Sequence, residues 1–98
     1  MIHEILMVCP HHGGLLNENR VIEWKKQPGD KIVKGETILV VECDKANLDF
    51  ESFIDGYLAV ILVRAGEEVP IGNVVALIAE TRAEIEKAVE LSIKYRDR

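Results

Sequence analysis

With 98 residues, 48% of them hydrophobic and 30% charged, the chain has the composition of a folded protein, with room for one modest core and no second folded unit. A formal net charge of −5 argues against nucleic acid as the main ligand, and no stretch approaches the roughly 18 apolar residues of a membrane helix, so no membrane partner is expected. The first eight residues carry no signal-peptide pattern, and the two cysteines, Cys9 and Cys43, are too few for a disulfide scaffold and fit a reduced, intracellular protein.

Apolar runs at residues 2–8, 21–24, 37–41, 57–63 and 74–79 are separated by Pro10, Gly13-Gly14, Pro28-Gly29, Gly35, Gly56, Gly66, Pro70 and Gly72. Short strands divided at such intervals predict a small all-β sandwich or barrel. From Thr81 the texture changes. Thr81-Arg82-Ala83-Glu84 fits a capping box, and Ile85, Ala88, Val89 and Ser92 recur at helical spacing, flanked by Leu91 and Ile93. Residues 81–98 are therefore expected to form a C-terminal helix, docked on the barrel or offered to a partner, after a β domain over residues 1–80.

A shift of 37 positions lays Gly29-Asp30-Lys31-Ile32 on Gly66-Glu67-Glu68-Val69, Gly35 on Gly72, and Ile38 and Val40 on Val75 and Leu77. It also lays Asn19 on Gly56, which predicts a left-handed backbone there, since asparagine tolerates positive φ best among the other residues. Two such copies imply a flattened β-barrel of two quasi-symmetric four-stranded halves, because neither copy alone could bury its apolar face.

Between the copies lies Val41-Glu42-Cys43-Asp44-Lys45-Ala46-Asn47-Leu48-Asp49-Phe50. If Asp44 and Lys45 make a two-residue turn, Val41 faces Leu48, Leu39 faces Phe50, Val40 meets Asp49 and Ile38 meets Glu51. That register leaves one face purely apolar, whereas a three-residue turn would oppose Val41 to Asp49. Lys45 then stands at the outermost point of a hairpin. Asp-Lys lacks the glycine of the usual hairpin turns, so a type I turn is expected. Small Ala46 leaves the amine open to an enzyme, although a lysine in a turn is ordinarily a solvated charge.

Around this hairpin the sequence resembles the lipoyl domains of the 2-oxo acid dehydrogenase complexes. Their acid, small residue and Asp-Lys-Ala at a hairpin tip match Glu42-Cys43-Asp44-Lys45-Ala46. Their first-loop pattern, Met-Pro-x-Leu-Gly-x-x-Met-x-Glu-Gly, aligns without a gap on Cys9-Pro10-His11-His12-Gly13-Gly14-Leu15-Leu16-Asn17-Glu18-Asn19. Trp24 matches their tryptophan, and Pro28-Gly29-Asp30-Lys31-Ile32-Val33-Lys34-Gly35-Glu36 their Val-Gly-Asp-x-Val-x-Lys-Gly-Asp segment. The resemblance covers about residues 3–80. Departures are Cys9 for methionine, His12 for leucine, Asn19 for glycine and Cys43 for threonine.

The resemblance implies a carrier that is not itself an enzyme. Lipoic acid is joined by an amide to Lys45 and shuttles acyl groups and reducing equivalents between active sites. Glu42, Asp44 and Ala46 are implied in recognition of the attachment site, and His11, His12, Gly13 and Gly14 in a loop that partner enzymes recognise. The implied partners are a lipoate ligase or lipoyl transferase, and the 2-oxo acid decarboxylase, acyltransferase and dihydrolipoamide dehydrogenase components. The expected location is cytoplasmic, or the mitochondrial matrix in a eukaryote. Residues 42–51 carry a net −3, suited to basic surfaces around active-site channels, though acids on a hairpin also keep its edges from pairing.

Other readings stand beside this one. Biotinyl carriers share the barrel but flank their lysine with methionines, where Asp44 and Ala46 stand here, and the glycine-cleavage carrier is longer. A free-standing lipoyl carrier of another pathway fits the charged helix that follows Glu80 in place of a Pro/Ala linker. Cys9, His11, His12 and perhaps Cys43 would supply four zinc ligands, but Cys9-Pro10-His11-His12 is not a recognised ligand spacing, Cys9 on an apolar strand reads as a small core residue, and no metal is expected. No nucleophile with a base and orienter can be assembled from the spacing, and an unmodified partner-binding module is the remaining reading. Cys43 is a small stand-in for threonine or a mixed-disulfide partner of a reduced arm.

Overall fold

The computed structural model of the chain describes residues 1–8, 19–43 and 45–96. Its strands are β1 (Ile2–Leu6), β2 (Asn19–Trp24), β3 (Lys31–Ile32), β4 (Thr37–Cys43), β5 (Ala46–Glu51), β6 (Gly56–Ile61) and β7 (Val74–Ala79), followed by a 3₁₀ turn over Arg82–Glu84 and helix α1 (Ile85–Arg96). The strands form two antiparallel sheets, one ordered β1-β7-β6-β3 and one ordered β2-β4-β5. The runs rich in valine, isoleucine and leucine became strands because such side chains pack on a pleated surface. The sheets close on one core, built around Ile5, Val21, Ile38, Leu39, Leu58 and Ile78. Each such side chain contributes about 1.5–3 kcal/mol when fully withdrawn from water.

The 37-residue repeat appears as a quasi-twofold in the backbone itself. β2 maps residue for residue onto β6, and the register shift between Val21 and Glu23 has its counterpart between Leu58 and Val60. Gly29, at φ 96°, donates its N–H to the Leu58 carbonyl at 2.7 Å, and Gly66, at φ 91°, donates to that of Val21 at 2.7 Å. The returning bonds match too, Leu58 N–H to Asp30 O at 3.0 Å and Val21 N–H to Glu67 O at 3.1 Å. Only the fourth strand is unequal. β3 pairs with β6 through Lys31 and Tyr57, while its copy is a single bridge from Glu68 to Arg20 on β2.

Two sequence expectations change here. Among the described residues, Asn19 is not one of those with positive φ, and neither is Gly56. What position 56 demands is space, for a Cβ there would stand 2.5 Å from the Ala79 carbonyl oxygen. The capping box is also altered. Thr81 makes no side-chain bond to the helix backbone, and its hydroxyl donates instead to Glu84 Oε1 at 3.0 Å.

The C-terminal helix docks on the outer face of β6 and β7. Fully buried Ala88 meets Ala59, Val60, Leu77 and Ala79, with Ile85 and Tyr95 packed around them. Small side chains on both surfaces let the helix lie close, and this second cover explains why β7 is buried on both faces. Ser92, also buried, donates to the Val89 carbonyl within its own helix, while Val89 and Ile93 face outward.

Gly56→Ala is expected to cost at least about 1–3 kcal/mol, the range for forcing atoms into a packed site. Urea unfolding measures this, and a midpoint equal to wild type would contradict the contact. The turn over residues 33–36 carries a pH-linked contribution. A hydrogen bond from Lys26, aided by the Val33 N–H, holds the Glu36 carboxyl below its ordinary 4.5. The folded chain thus favours the ionised form, so this contribution is complete above 4.5 and fades as pH falls through the lower folded value. Glu36→Gln should therefore be less stable than wild type at neutral pH, with the difference shrinking below 4.5 in urea midpoints taken across an acid series.

Candidate functional site

The hairpin between β4 and β5 has the expected two-residue turn. Cys43 pairs with Ala46, Glu42 with Asn47, Val41 with Leu48, Val40 with Asp49 and Leu39 with Phe50. At the far end Thr37, not Ile38, opposes Glu51, because the register shifts between Thr37 and Leu39. That irregularity turns both Ile38 and Leu39 into the core. Beyond it strict alternation returns, with Val41 and Cys43 inward and Glu42 outward.

Lys45 stands exposed at the tip, and among the described residues it is the one non-glycine residue with positive φ, at 65°. The left-handed backbone at the second turn position rules out the expected type I turn, in which both central residues have negative φ. The right-handed twist of the flanking strands accounts for the difference, since it selects turns with positive φ. Such a conformation costs a side chain carrying Cβ roughly 1–2 kcal/mol, and strain of this kind gathers at functional positions.

Among the described residues Lys45 forms no ion pair. The charges around it are arranged lower on the hairpin. Glu42 lies 3.9 Å from Arg20, which also reaches Glu68 at 3.1 Å and the Gly66 carbonyl at 3.2 Å. These groups are well exposed, so each pair is worth at most about 1 kcal/mol. The arrangement ties the hairpin's outer face to the second copy. Asp49 and Glu51 are exposed along β5, an edge strand of its sheet. Trp24 braces the sheet from its other end by donating from Nε1 to the Val63 carbonyl at 2.9 Å.

Of the residues expected at the site, the structure brings Lys45, Ala46 and Glu42 to one tip. Asp44, His11, His12, Gly13 and Gly14 lie outside the described residues, as does Cys9. Sequence reasoning missed Arg20, whose role follows only from the Asn19–Cys43 and Arg20–Glu42 cross-strand register. It also missed the state of Cys43. That residue is buried and disulfide-bonded, so the expected reduced thiol is replaced, and its sulfur is not available as a zinc-binding thiolate.

The bare side chain suits a covalent load. Its amine is exposed, its neighbour Ala46 adds only a methyl group, and no described carboxylate holds it back.

The Lys45→Gly change removes the left-handed penalty and Lys45→Ala retains it. Urea unfolding of the unmodified chain should find the glycine variant more stable than the alanine variant by about 0.5–1 kcal/mol; the reverse order would contradict the strained tip.

A family model described as "Biotin_lipoyl: Biotin-requiring enzyme" matches residues 6–78. The dihydrolipoyllysine-residue acetyltransferase component 4 of the chloroplastic pyruvate dehydrogenase complex of Arabidopsis thaliana is 48% identical over 87 residues, which cover 89% of this chain and 18% of that protein. The mitochondrial acetyltransferase component of Neurospora crassa is 40% identical over 72 residues, covering 72% of this chain and 16% of that one. The chain thus spans less than a fifth of the length of these curated relatives, whose names give no support to a cytoplasmic location. The solution structure of the lipoyl domain of the 2-oxoglutarate dehydrogenase complex from Azotobacter vinelandii superposes with a TM-score of 0.65 at 26% identity, covering 79% of this chain and 98% of that one.

Proposed function

The chain belongs to the biotin/lipoyl attachment family, whose model spans residues 6–78, and from that premise we propose that it is a lipoyl carrier with lipoic acid joined by an amide to Lys45. The observation that carries this reading is the exposed lysine held in a left-handed conformation at the tip of the β4–β5 hairpin. A solvated surface lysine has no need of a strained backbone; a lysine that must enter another enzyme's site gains from being projected beyond both strands. Asp44 and Ala46 as its neighbours, and relatives named for dihydrolipoyllysine, favour lipoyl over biotin.

When bound, the group supplies a dithiolane that accepts acyl groups and electrons. The chain's own contribution is presentation, and it catalyses nothing itself. The Cys43–Ala46 pair fixes the direction in which Lys45 leaves the barrel. Amide formation removes the tip's positive charge, leaving the acids of the hairpin to attract basic rims of partner sites. Glu42 acts in that surface with Arg20 beside it, so its charge is partly answered before a partner arrives. We assign residues 1–80 to the carrier and residues 81–98 to a helical extension. The active sites served would be those of a pyruvate-type or related 2-oxo acid dehydrogenase complex, with the arm visiting each at high effective concentration. The loop holding His11, His12, Gly13 and Gly14 is assigned to partner choice.

Coexpression with a lipoate ligase, followed by intact mass spectrometry, tests the reading. Wild type should gain the mass of one lipoyl group and Lys45→Ala none. A biotinyl mass after coexpression with a biotin ligase would favour the alternative carrier, and no added mass from either ligase would end the carrier reading.

A further inference from the structure

Arg20 stands on β2 directly across from Glu42 on β4, three residues before Lys45, and on its other side it bridges to Glu68 of the second copy. Its guanidinium thus sits between two acids, and it engages them unequally. Nη2 donates to Glu68 Oε1 at 3.1 Å and Nη1 to the Gly66 carbonyl at 3.2 Å. The approach to Glu42 is made by Nε, 3.9 Å from Oε1. That is close enough for the charges to attract and too long for a hydrogen bond.

The inequality decides what Glu42 still has to offer. Among the described residues Arg20 is the cation that reaches Glu42, so the acid's charge is answered while its oxygens take no hydrogen bond from the guanidinium. An exposed pair of that kind is weak, whereas two parallel bonds from an incoming guanidinium are stronger and directional. A partner group can therefore take Glu42 from Arg20 without stripping Arg20 of its other bonds. Arg20 stays anchored on Glu68 and Gly66, and its positive charge remains beside the new pair. That charge opposes any cation that cannot bond the carboxylate.

We infer that Arg20 is a specificity-determining residue of the attachment surface, shielding Glu42 so that the surface admits an enzyme whose own guanidinium or ammonium group bonds that carboxylate beside Lys45. The inference rests on the lipoyl reading, which makes the enzyme that forms the amide on Lys45 the first such partner. A surface that is merely basic, with no group shaped for Glu42, meets an answered charge and gains little from it. Glu68 takes part by holding the shield back. Without it Arg20 can close on Glu42 and occupy the carboxylate from inside the domain.

The test follows lipoylation of the full unmodified chain by a lipoate ligase, read by intact mass, with KM for the chain and kcat determined separately and urea midpoints showing that each variant is folded. Arg20→Gln should lower KM about two- to fivefold, the range an exposed ion pair implies, with kcat unchanged. Arg20→Lys keeps the charge and should return KM toward wild type. Glu68→Gln should raise KM by a similar factor, and because it leaves Arg20 in place it serves equally if Arg20→Gln unfolds. Both changes should vanish in a Glu42→Gln background, where no carboxylate remains to shield. Shifts of the same size with and without Glu42 would mark a general effect of charge and overturn the inference. So would a KM raised by Arg20→Gln, which would make Arg20 itself the group the enzyme holds. A wild-type chain that is modified with a KM indifferent to Arg20 and Glu68 sinks this inference alone; a wild-type chain that gains no lipoyl mass sinks the carrier reading and this inference with it.

Discussion

Among the backbone hydrogen bonds that hold the two copies of the repeat to each other, four form a symmetric interlock. Gly29 and Asp30 of the first engage Leu58 of the second, and Gly66 and Glu67 of the second engage Val21 of the first, at 2.7–3.1 Å. Each tight turn is completed by a strand of the other copy. Buried N–H and C=O groups left without these partners would each cost about 1–3 kcal/mol, so neither copy is a finished structure alone. The interlock also fixes β2, and through β2 the register of β4 and the direction in which the attachment hairpin leaves the barrel.

That hairpin is built with a clear division of labour. Leu39, Val41 and Cys43 bind its inner face to the core, while Glu42, Asp49 and Glu51 keep the outer face and the open edge charged. Only the tip is free of either demand. An exposed lysine placed there need not compete with packing, and the turn can hold it in a conformation that a packed strand would not permit.

Much of this was legible in the residues. The apolar alternation of Val41, Leu48, Leu39 and Phe50 was sufficient to set the hairpin register, because a slip of one residue would have buried Asp49. The 37-residue shift found the repeat because the turn glycines and the strand valines recur together. What escaped the sequence was whatever depends on close approach between distant segments. Position 56 needs glycine because of the Ala79 carbonyl, which no local pattern announces. The type I turn failed because strand twist overrode the local preference of Asp-Lys, and the helix face shifted from Val89 to Tyr95 because the sheet it covers decides which side is buried. The state of Cys43 depends on what the fold brings against it, and spacing alone carries no sign of that.

Under the quasi-twofold, the Cys43–Ala46 pair beneath the tip corresponds to the pair formed by Met1 and Glu80, whose backbones are joined by a bond of 3.1 Å. One pair is closed by a turn carrying Lys45; from its mate the chain passes into the 3₁₀ turn and helix α1. Points related by a twofold lie on opposite sides of the axis. Lys45 and the start of the C-terminal helical segment thus lie on opposite sides of the barrel. The helix packs on β6 and β7, away from the β4–β5 hairpin that carries the lysine.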